Sequence, residues 1–380
     1  MNINHEIIDG HQYKLICVWR KNKEDLSKDS RGKIYPFPKQ ENIWTGKLQF
    51  LKKINSVQKY FDTKNDDHII LYDKKINCLL CDKKHVTTKK YVLDKYIWED
   101  GLEHYIHEHN TQPDEDFIGK IFNYVVNVSS QITMKGIVET QHNTIFLKLS
   151  KNQLMILDAL MKHGGYNKKY YDHKKENVLR YSEHAGFFDI RNNMLQNIIV
   201  SGNTMRVDRG DEEIFLPMNT PDALNYEYIF HTHPPTPKPG GRANGGILYE
   251  FPSIGDILHF IDHYNDGNVK GSLIMTPEGM YNIKCTDVIK KISIDEDKFF
   301  DDAKSIFKYV QKEAIKKYGS DFSTSKFYSE ISQDFSFVNK VNEILKKYMI
   351  EIEYYPRSKD FRGSWIVDTI YIPLFSVKHQ

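Results

Sequence analysis

The chain has 380 residues, 40% hydrophobic and 13% aromatic, enough for two or three domains with their own cores and unlike a disordered polymer. Lys and Arg total 53 against 51 Asp and Glu, and the resulting net charge of +2 excludes a bulk field that draws the chain to nucleic acid or an anionic membrane. Met1–Tyr13 lacks the basic-then-apolar pattern of a secretory leader, and no apolar run approaches the roughly 18 residues that span a bilayer. The basic residues are mostly Lys, and Asn, Ile and Tyr are abundant, a usage typical of AT-rich genomes such as those of protists or large DNA viruses. Four cysteines, two of them spaced Cys-x-x-Cys, suit a metal half-site better than a disulfide framework, so we expect a reducing, intracellular and cytoplasmic setting (a host's cytoplasm for a viral chain).

Along the chain, Tyr13–Trp19 reads as a strand and Leu48–Phe61 as a helix. Residues 66–111 hold Cys78-Leu79-Leu80-Cys81 and, 22 residues later, His104-Tyr105-Ile106-His107-Glu108-His109. Two thiolates on a knuckle and two imidazoles on one helix make a closed tetrahedral zinc site. His104 and His109 are the expected imidazoles, with His104 and His107 the alternative. The long spacer does not suit a DNA-reading finger, so a structural zinc that staples a small domain lacking a core is expected. Lys83, Lys84, Lys89 and Lys90 beside Tyr91 and Tyr96 offer only weak support for nucleic-acid contact.

Tyr124–Val128 and Thr144–Leu149 read as strands, and Leu154, Ile156, Leu157, Leu160 and Met161 repeat at helical spacing. Gly164–Glu176 is polar and is expected to be a loop or an insertion. Strands are expected over Val178–Ile190, Leu195–Val207 and Glu227–His233, with Asp208–Glu213 a solvated hairpin tip. A helix follows Pro252, then strands Ser272–Met275 and Met280–Cys285 joined by the turn Thr276-Pro277-Glu278-Gly279. Helices at about 297–318 and 327–348 and strands at Ile350–Tyr355 and Trp365–Ile372 end the chain. Cys17 and Cys285 read as buried thiols.

His231-Thr232-His233-Pro234 closes the apolar run Tyr228-Ile229-Phe230, so the two imidazoles point to one side of a strand. Ser253-Ile254-Gly255-Asp256 opens the next helix and places a carboxylate in its first turn. Two His and one Asp leave a fourth position for water, the layout of a catalytic zinc. Ser253 and Asp256 also read as a plain capping box. Upstream, Glu183-His184-Ala185-Gly186-Phe187 starts an apolar run, while Glu176, Asp189, Glu212 and Glu213 are other acidic residues before the His pair.

In this order, over residues 151–285, these motifs resemble the JAMM/MPN metalloproteases, also called JAB domains. The resemblance implies an α+β fold with an MPN-like mixed sheet flanked by helices. It implies zinc on His231, His233 and Asp256, Glu183 as general base and Ser253 as oxyanion donor. The chain departs from the family at Pro234–Pro252, nineteen residues where the family keeps the His and Ser motifs closer. This Pro- and Gly-rich insertion, ending in Ile247-Leu248-Tyr249-Glu250-Phe251, is expected at the cleft rim, either as a lid or substrate-contacting strand with Tyr249 and Phe251 meeting substrate, or as a spacer that leaves Asp256 misplaced and the site inactive. The expected organisation is an N-terminal region (1–65), a finger-like module (66–111), linking strands (112–150), the catalytic domain (151–290) and a C-terminal extension (291–380).

The leading functional expectation is therefore a zinc-dependent peptidase or isopeptidase acting on ubiquitin or a ubiquitin-like conjugate, with an extended tail added beside the active-site strand. The alternatives are a catalytically inactive MPN-type scaffold and a finger protein associated with nucleic acid. Two zinc ions are expected, one catalytic and one structural.

Overall fold

In the computed structural model, the described residues are 4–20, 23–38, 43–64, 68–125, 142–172, 175–201, 205–207, 225–234, 248–287, 291–319 and 324–377. They form two compact units, Met1–Phe146 with Ser376–Gln380, and Leu147–Phe375.

The first unit holds strands β1 (Asn4–Ile8), β2 (His11–Ile16), β3 (Ile69–Ile76), β4 (Thr87–Leu93) and β5 (Tyr96–Glu99) in one sheet, in the order β1-β2-β5-β4-β3. Helix α1 (Lys47–Lys64) repeats Phe50, Leu51, Ile54, Val57 and Phe61 on one face, and all five are buried. Helices α2 (Leu102–His109) and α3 (Glu115–Asn123) add Ile106, Phe117 and Ile121 to this core, where Phe117 meets both Phe50 and Trp98 edge-on. The Cys-x-x-Cys segment lies in the loop between β3 and β4. It therefore belongs to a unit with a substantial core of its own, and the small coreless domain expected from the sequence is not what surrounds it.

The second unit is built on a mixed sheet of β6 (Ala185–Arg191), β7 (Met194–Val200), β8 (Tyr228–Thr232), β9 (Gly271–Met275), β10 (Gly279–Cys285) and β11 (Ile350–Pro356), ordered β7-β6-β8-β9-β10-β11. Only β8 and β9 run parallel, because helix α5 (Ile254–Asp266) supplies the crossover that a parallel pair requires. Every residue of β8, β9 and β10 is buried, as the short unbroken apolar runs Tyr228–Phe230 and Leu273–Met275 suggest. Helix α4 (Lys151–His163) is held by a Ser150–Gln153 capping box. Helices α6 (Glu296–Tyr318) and α7 (Ser336–Leu345) bury Phe299, Val310, Phe337 and Leu345 in the same core as Ile257, Phe260 and Ile274. With β11 paired to β10 along its length, residues beyond 290 complete the sheet that residues 185–285 begin.

Several segments differ from the sequence reading, among them Leu195–Val207 and Trp365–Ile372, each expected as one strand and each divided between strands of two sheets. Gly164–Glu176, expected as a loop or an insertion, contributes strand Gly165–Asp172, which pairs with Lys175–Ser182 and, through it, with Met205–Val207. Polar segments make strands when a partner supplies backbone pairing, which composition does not reveal. The single strand expected over Val178–Ile190 is two strands in different sheets, broken at Glu183-His184. The helix expected at 327–348 is divided into Thr324–Ser329, a 3-10 turn at Ile331–Gln333, α7, and a second 3-10 turn that ends at Met349 with φ of 60°. Tyr124 and Val125 follow α3 without strand structure, and the rest of that expected strand, with Asp208–Glu213, lies outside the described residues. Among the described residues no helix is long and apolar enough to cross a membrane.

Candidate metal centre

Strand β8 ends at Thr232, and the pleat turns His231 and His233 to the same side. Their Nε2 atoms lie 3.1 Å apart. From the first turn of α5, Asp256 sends Oδ1 to 3.1 Å from His231 Nε2 and Oδ2 to 3.3 Å from His233 Nε2. A tetrahedral zinc with ordinary N and O bond lengths separates its ligand atoms by roughly 3.3–3.4 Å. Three buried donors thus converge at the spacing a small divalent ion demands. Burial by itself would raise the Asp256 pKa, but His231 and then His233 outweigh it and hold this carboxyl well below the usual range. The carboxylate stays in the charged form that a cation needs.

The orientation of His233 is set from behind. Its Nδ1 lies 3.2 Å from the backbone carbonyl of Glu250. A carbonyl can only accept, so Nδ1 carries a hydrogen and Nε2 is the ring atom turned to the centre.

Glu183 is buried and sits in the break between two sheets. Its neighbour His184 is tied to Thr232 on the metal strand: the His184 N–H donates to Thr232 Oγ1 (3.0 Å), and the Thr232 N–H donates to the His184 carbonyl (2.9 Å). Ala185 then pairs with His231. Gly186 lets the strands meet this closely, since a Cβ there would lie 1.9 Å from the Ile199 carbonyl oxygen.

Ser253 is exposed at the N-cap of α5, where its Oγ accepts the Asp256 N–H (3.1 Å) and its own N–H donates to Asp256 Oδ2 (2.6 Å). The capping box and the metal-facing carboxylate are one and the same arrangement. Because Oγ is the acceptor in the cap, the Ser253 hydroxyl hydrogen remains able to serve an oxyanion.

Tyr249 and Phe251 are not at a substrate-facing rim. Both are buried, Tyr249 to 2% exposure, stacked on each other and packed against Phe337, Phe307 and Tyr281. The Tyr249 hydroxyl donates to the Ile331 carbonyl (2.8 Å). Large apolar side chains at the end of an insertion pay no desolvation cost when a core lies within reach, and helices α6 and α7 supply that core. The body of the insertion, residues 235–247, lies outside the described residues.

Sequence reasoning passed over His259, one turn beyond Asp256 on α5. Burial chiefly, then His263 and His231, push its pKa down to about 4. The Asp-x-x-His spacing, which shares a helix face, was the available signal. The contacts of Glu250, Glu278 and Gln311 were not foreseen, because bonds to the backbone leave no pattern in sequence.

In the first unit, Cys78 Sγ lies 3.3 Å from His109 Nε2 and Cys81 Sγ lies 3.4 Å from His104 Nε2. Zinc holding sulfur and nitrogen ligands spaces them by roughly 3.5 Å. All four ligand atoms fall within 4.8 Å of one another, so these residues fit a closed metal site. His107 instead turns outward and pairs with Glu108 at 2.8 Å. Of the neighbouring basic residues, Lys89 is bound to Asp62 and Lys90 to Glu6, while Tyr91 and Tyr96 are buried. These four side chains are committed inside the unit.

Over 350 residues the chain is 33% identical to the uncharacterized protein R413 of Acanthamoeba polyphaga mimivirus, an alignment that covers 88% of this chain and 95% of that protein. The chain belongs to the family of this mimivirus protein. No protein-family model matches the sequence. No solved structure matches it either.

Proposed function

We propose that the second unit is a zinc-dependent peptidase or isopeptidase of the JAMM/MPN type, acting on ubiquitin or ubiquitin-like conjugates. The observation that carries this reading is the convergence of His231, His233 and Asp256, three buried donors at zinc-like spacing, beside the fixed backbone of Glu183-His184. Zinc bound there would supply Lewis-acid activation of a water near neutral pH. Glu183 takes the proton of the attacking water and delivers it to the leaving amine, the work of a buried carboxylate at such a site. The Ser253 hydroxyl donates to the developing oxyanion.

The substrate tail needs a different seat from the one the sequence suggests. Strand β8 is paired on both sides, with β6 and with β9, so an extended peptide cannot add directly beside it. Among the described residues, the sheet edge on the Glu183 side is β7, and β-addition would use that edge. The Cys78, Cys81, His104 and His109 cluster is assigned a structural zinc.

The test is zinc stoichiometry of the purified chain, followed by cleavage of a panel of ubiquitin and ubiquitin-like conjugates. Two zincs, one lost in His233→Ala, and cleavage abolished in Glu183→Gln are expected. A His231–His233–Asp256 site that stays empty in zinc-supplemented protein overturns the enzyme and leaves a scaffold.

A further inference from the structure

The peptide between Tyr249 and Glu250 is gripped on both faces by side chains from distant parts of the second unit. Its carbonyl, on Tyr249, accepts from Gln311 Nε2 at 2.6 Å. Its N–H, on Glu250, donates to Glu278 Oε1 at 2.7 Å. The same Gln311 side chain turns its Oε1 toward two further donors, the N–H groups of Leu248 (2.7 Å) and Tyr249 (3.1 Å). Glu278 is fully buried in the turn between β9 and β10, and its Oε1 also accepts from the Tyr281 hydroxyl at 2.8 Å. The next carbonyl along the chain, that of Glu250, is the one that meets His233 Nδ1.

We infer that Gln311 and Glu278 are positioning residues for the metal ligand His233, acting through the Tyr249–Glu250 peptide. This deepens the zinc reading of the His231–His233–Asp256 site and rests on it. Rotation of the gripped peptide would break two buried hydrogen bonds together, which anchors the chain immediately before the Glu250 carbonyl and limits the directions open to it. The direction so held selects the Nδ1–H tautomer of His233 and aims its Nε2 at the centre. The end of the insertion, Leu248–Glu250, thus reaches the site as its outer shell. Helix α6, which lies beyond the sequence motifs, takes part in building the metal centre.

The experiment measures zinc affinity at the His233-dependent site of the full chain by competition with a chromophoric chelator at pH 8. It also reads the His233 ring tautomer by long-range ¹H–¹⁵N NMR on metal-free protein. Gln311→Leu keeps the volume and removes the grip; it is expected to weaken zinc by about 10–100-fold, the range for partners of metal-bound histidines, and to lose the single Nδ1–H signature. Glu278→Leu removes the acceptor of the Glu250 N–H and is expected to shift both readouts in the same direction. Leu345→Ala opens a core cavity in the same helical layer without touching the peptide, and is expected to leave both readouts unchanged. Where Gln311→Leu does not fold, Gln311→Glu replaces the donor to the Tyr249 carbonyl with an acceptor and carries the test with the same expected direction. Wild-type affinity and tautomer in a folded Gln311 variant, or equal losses in Leu345→Ala, overturn the inference. A wild-type chain that binds no zinc at His233 overturns the underlying reading instead.

Discussion

Ser253 and Asp256 cap helix α5 reciprocally, and the Asp256 oxygen that accepts the Ser253 N–H is the one that faces His233. One carboxylate consequently serves both helix initiation and the candidate metal site. Ser253→Ala removes the acceptor for the Asp256 N–H and the hydroxyl at the rim together. The expected result is a stability loss of about 1 kcal/mol in urea unfolding, zinc stoichiometry unchanged, and turnover lower by roughly 10²–10³-fold. Loss of zinc in this variant would show that the cap, and not the carboxylate alone, holds the site together.

Gly186 is needed by the β6–β7 pairing. A Cβ at this position would meet the Ile199 carbonyl oxygen at 1.9 Å and the Phe230 ring at 2.8 Å. Gly186→Ala is therefore expected to destabilise the second unit by roughly 2–3 kcal/mol, and zinc affinity at the His site should fall with it, because β6 carries the Ala185–His231 pairing. Calorimetry with a parallel zinc titration checks both; unchanged melting would mean that the strands separate freely at this point.

Cys78→Ser should remove one zinc and leave the His233-dependent one. The first unit has its own aromatic core, so it is expected to weaken, not to unfold: the lost linkage is about 3 kcal/mol with free zinc a few hundred times its Kd. The readout is zinc per chain and the melting of the first unit, in which Trp19, Trp44 and Trp98 report by fluorescence. Complete unfolding at room temperature would contradict the core argument.

His259 makes helix α5 sensitive to acid. Its folded pKa of about 4 lies below the ordinary 6.5, so between these values the unfolded chain binds the proton more readily. The contribution is fully present above pH 6.5 and is lost as pH falls toward 4. Allowing for residual exposure, the size is about 2–3 kcal/mol. The hydrogen-exchange protection factors of the Ile257 to Ile261 amides in metal-free protein, corrected for the intrinsic pH dependence of exchange, should fall across this window in wild type and much less in His259→Gln. Identical pH profiles for the two proteins would refute the assignment.

The motif order placed the metal-facing trio with little ambiguity. His231 and His233 alternate on a strand of period two, and Asp256 sits in the first turn of the next helix, so local geometry decides which side of its own element each one faces. Cys78, Cys81, His104 and His109 were legible for the same reason, each pair being close in sequence. The strands around residues 228–232 and 271–285 announced themselves as unbroken apolar runs.

What escaped was whatever depends on partners remote in the chain. The division of Val178–Ile190 at Glu183-His184 follows from the grip of Thr232 on His184, 48 residues away. Tyr249 and Phe251 looked like surface aromatics of a polar insertion until α6 and α7 were folded over them. The aim of His233 is decided by a carbonyl at Glu250 and by side chains at Glu278 and Gln311, up to 78 residues further on (311 minus 233). Periodicity and spacing encode which side of its own element a residue faces. They carry no information on what packs against that side, because burial and backbone hydrogen bonding reward any partner of suitable shape. The sequence by itself therefore determined which residues this protein offers to metal, and only the tertiary structure decided how they are held and which aromatics were left for the core.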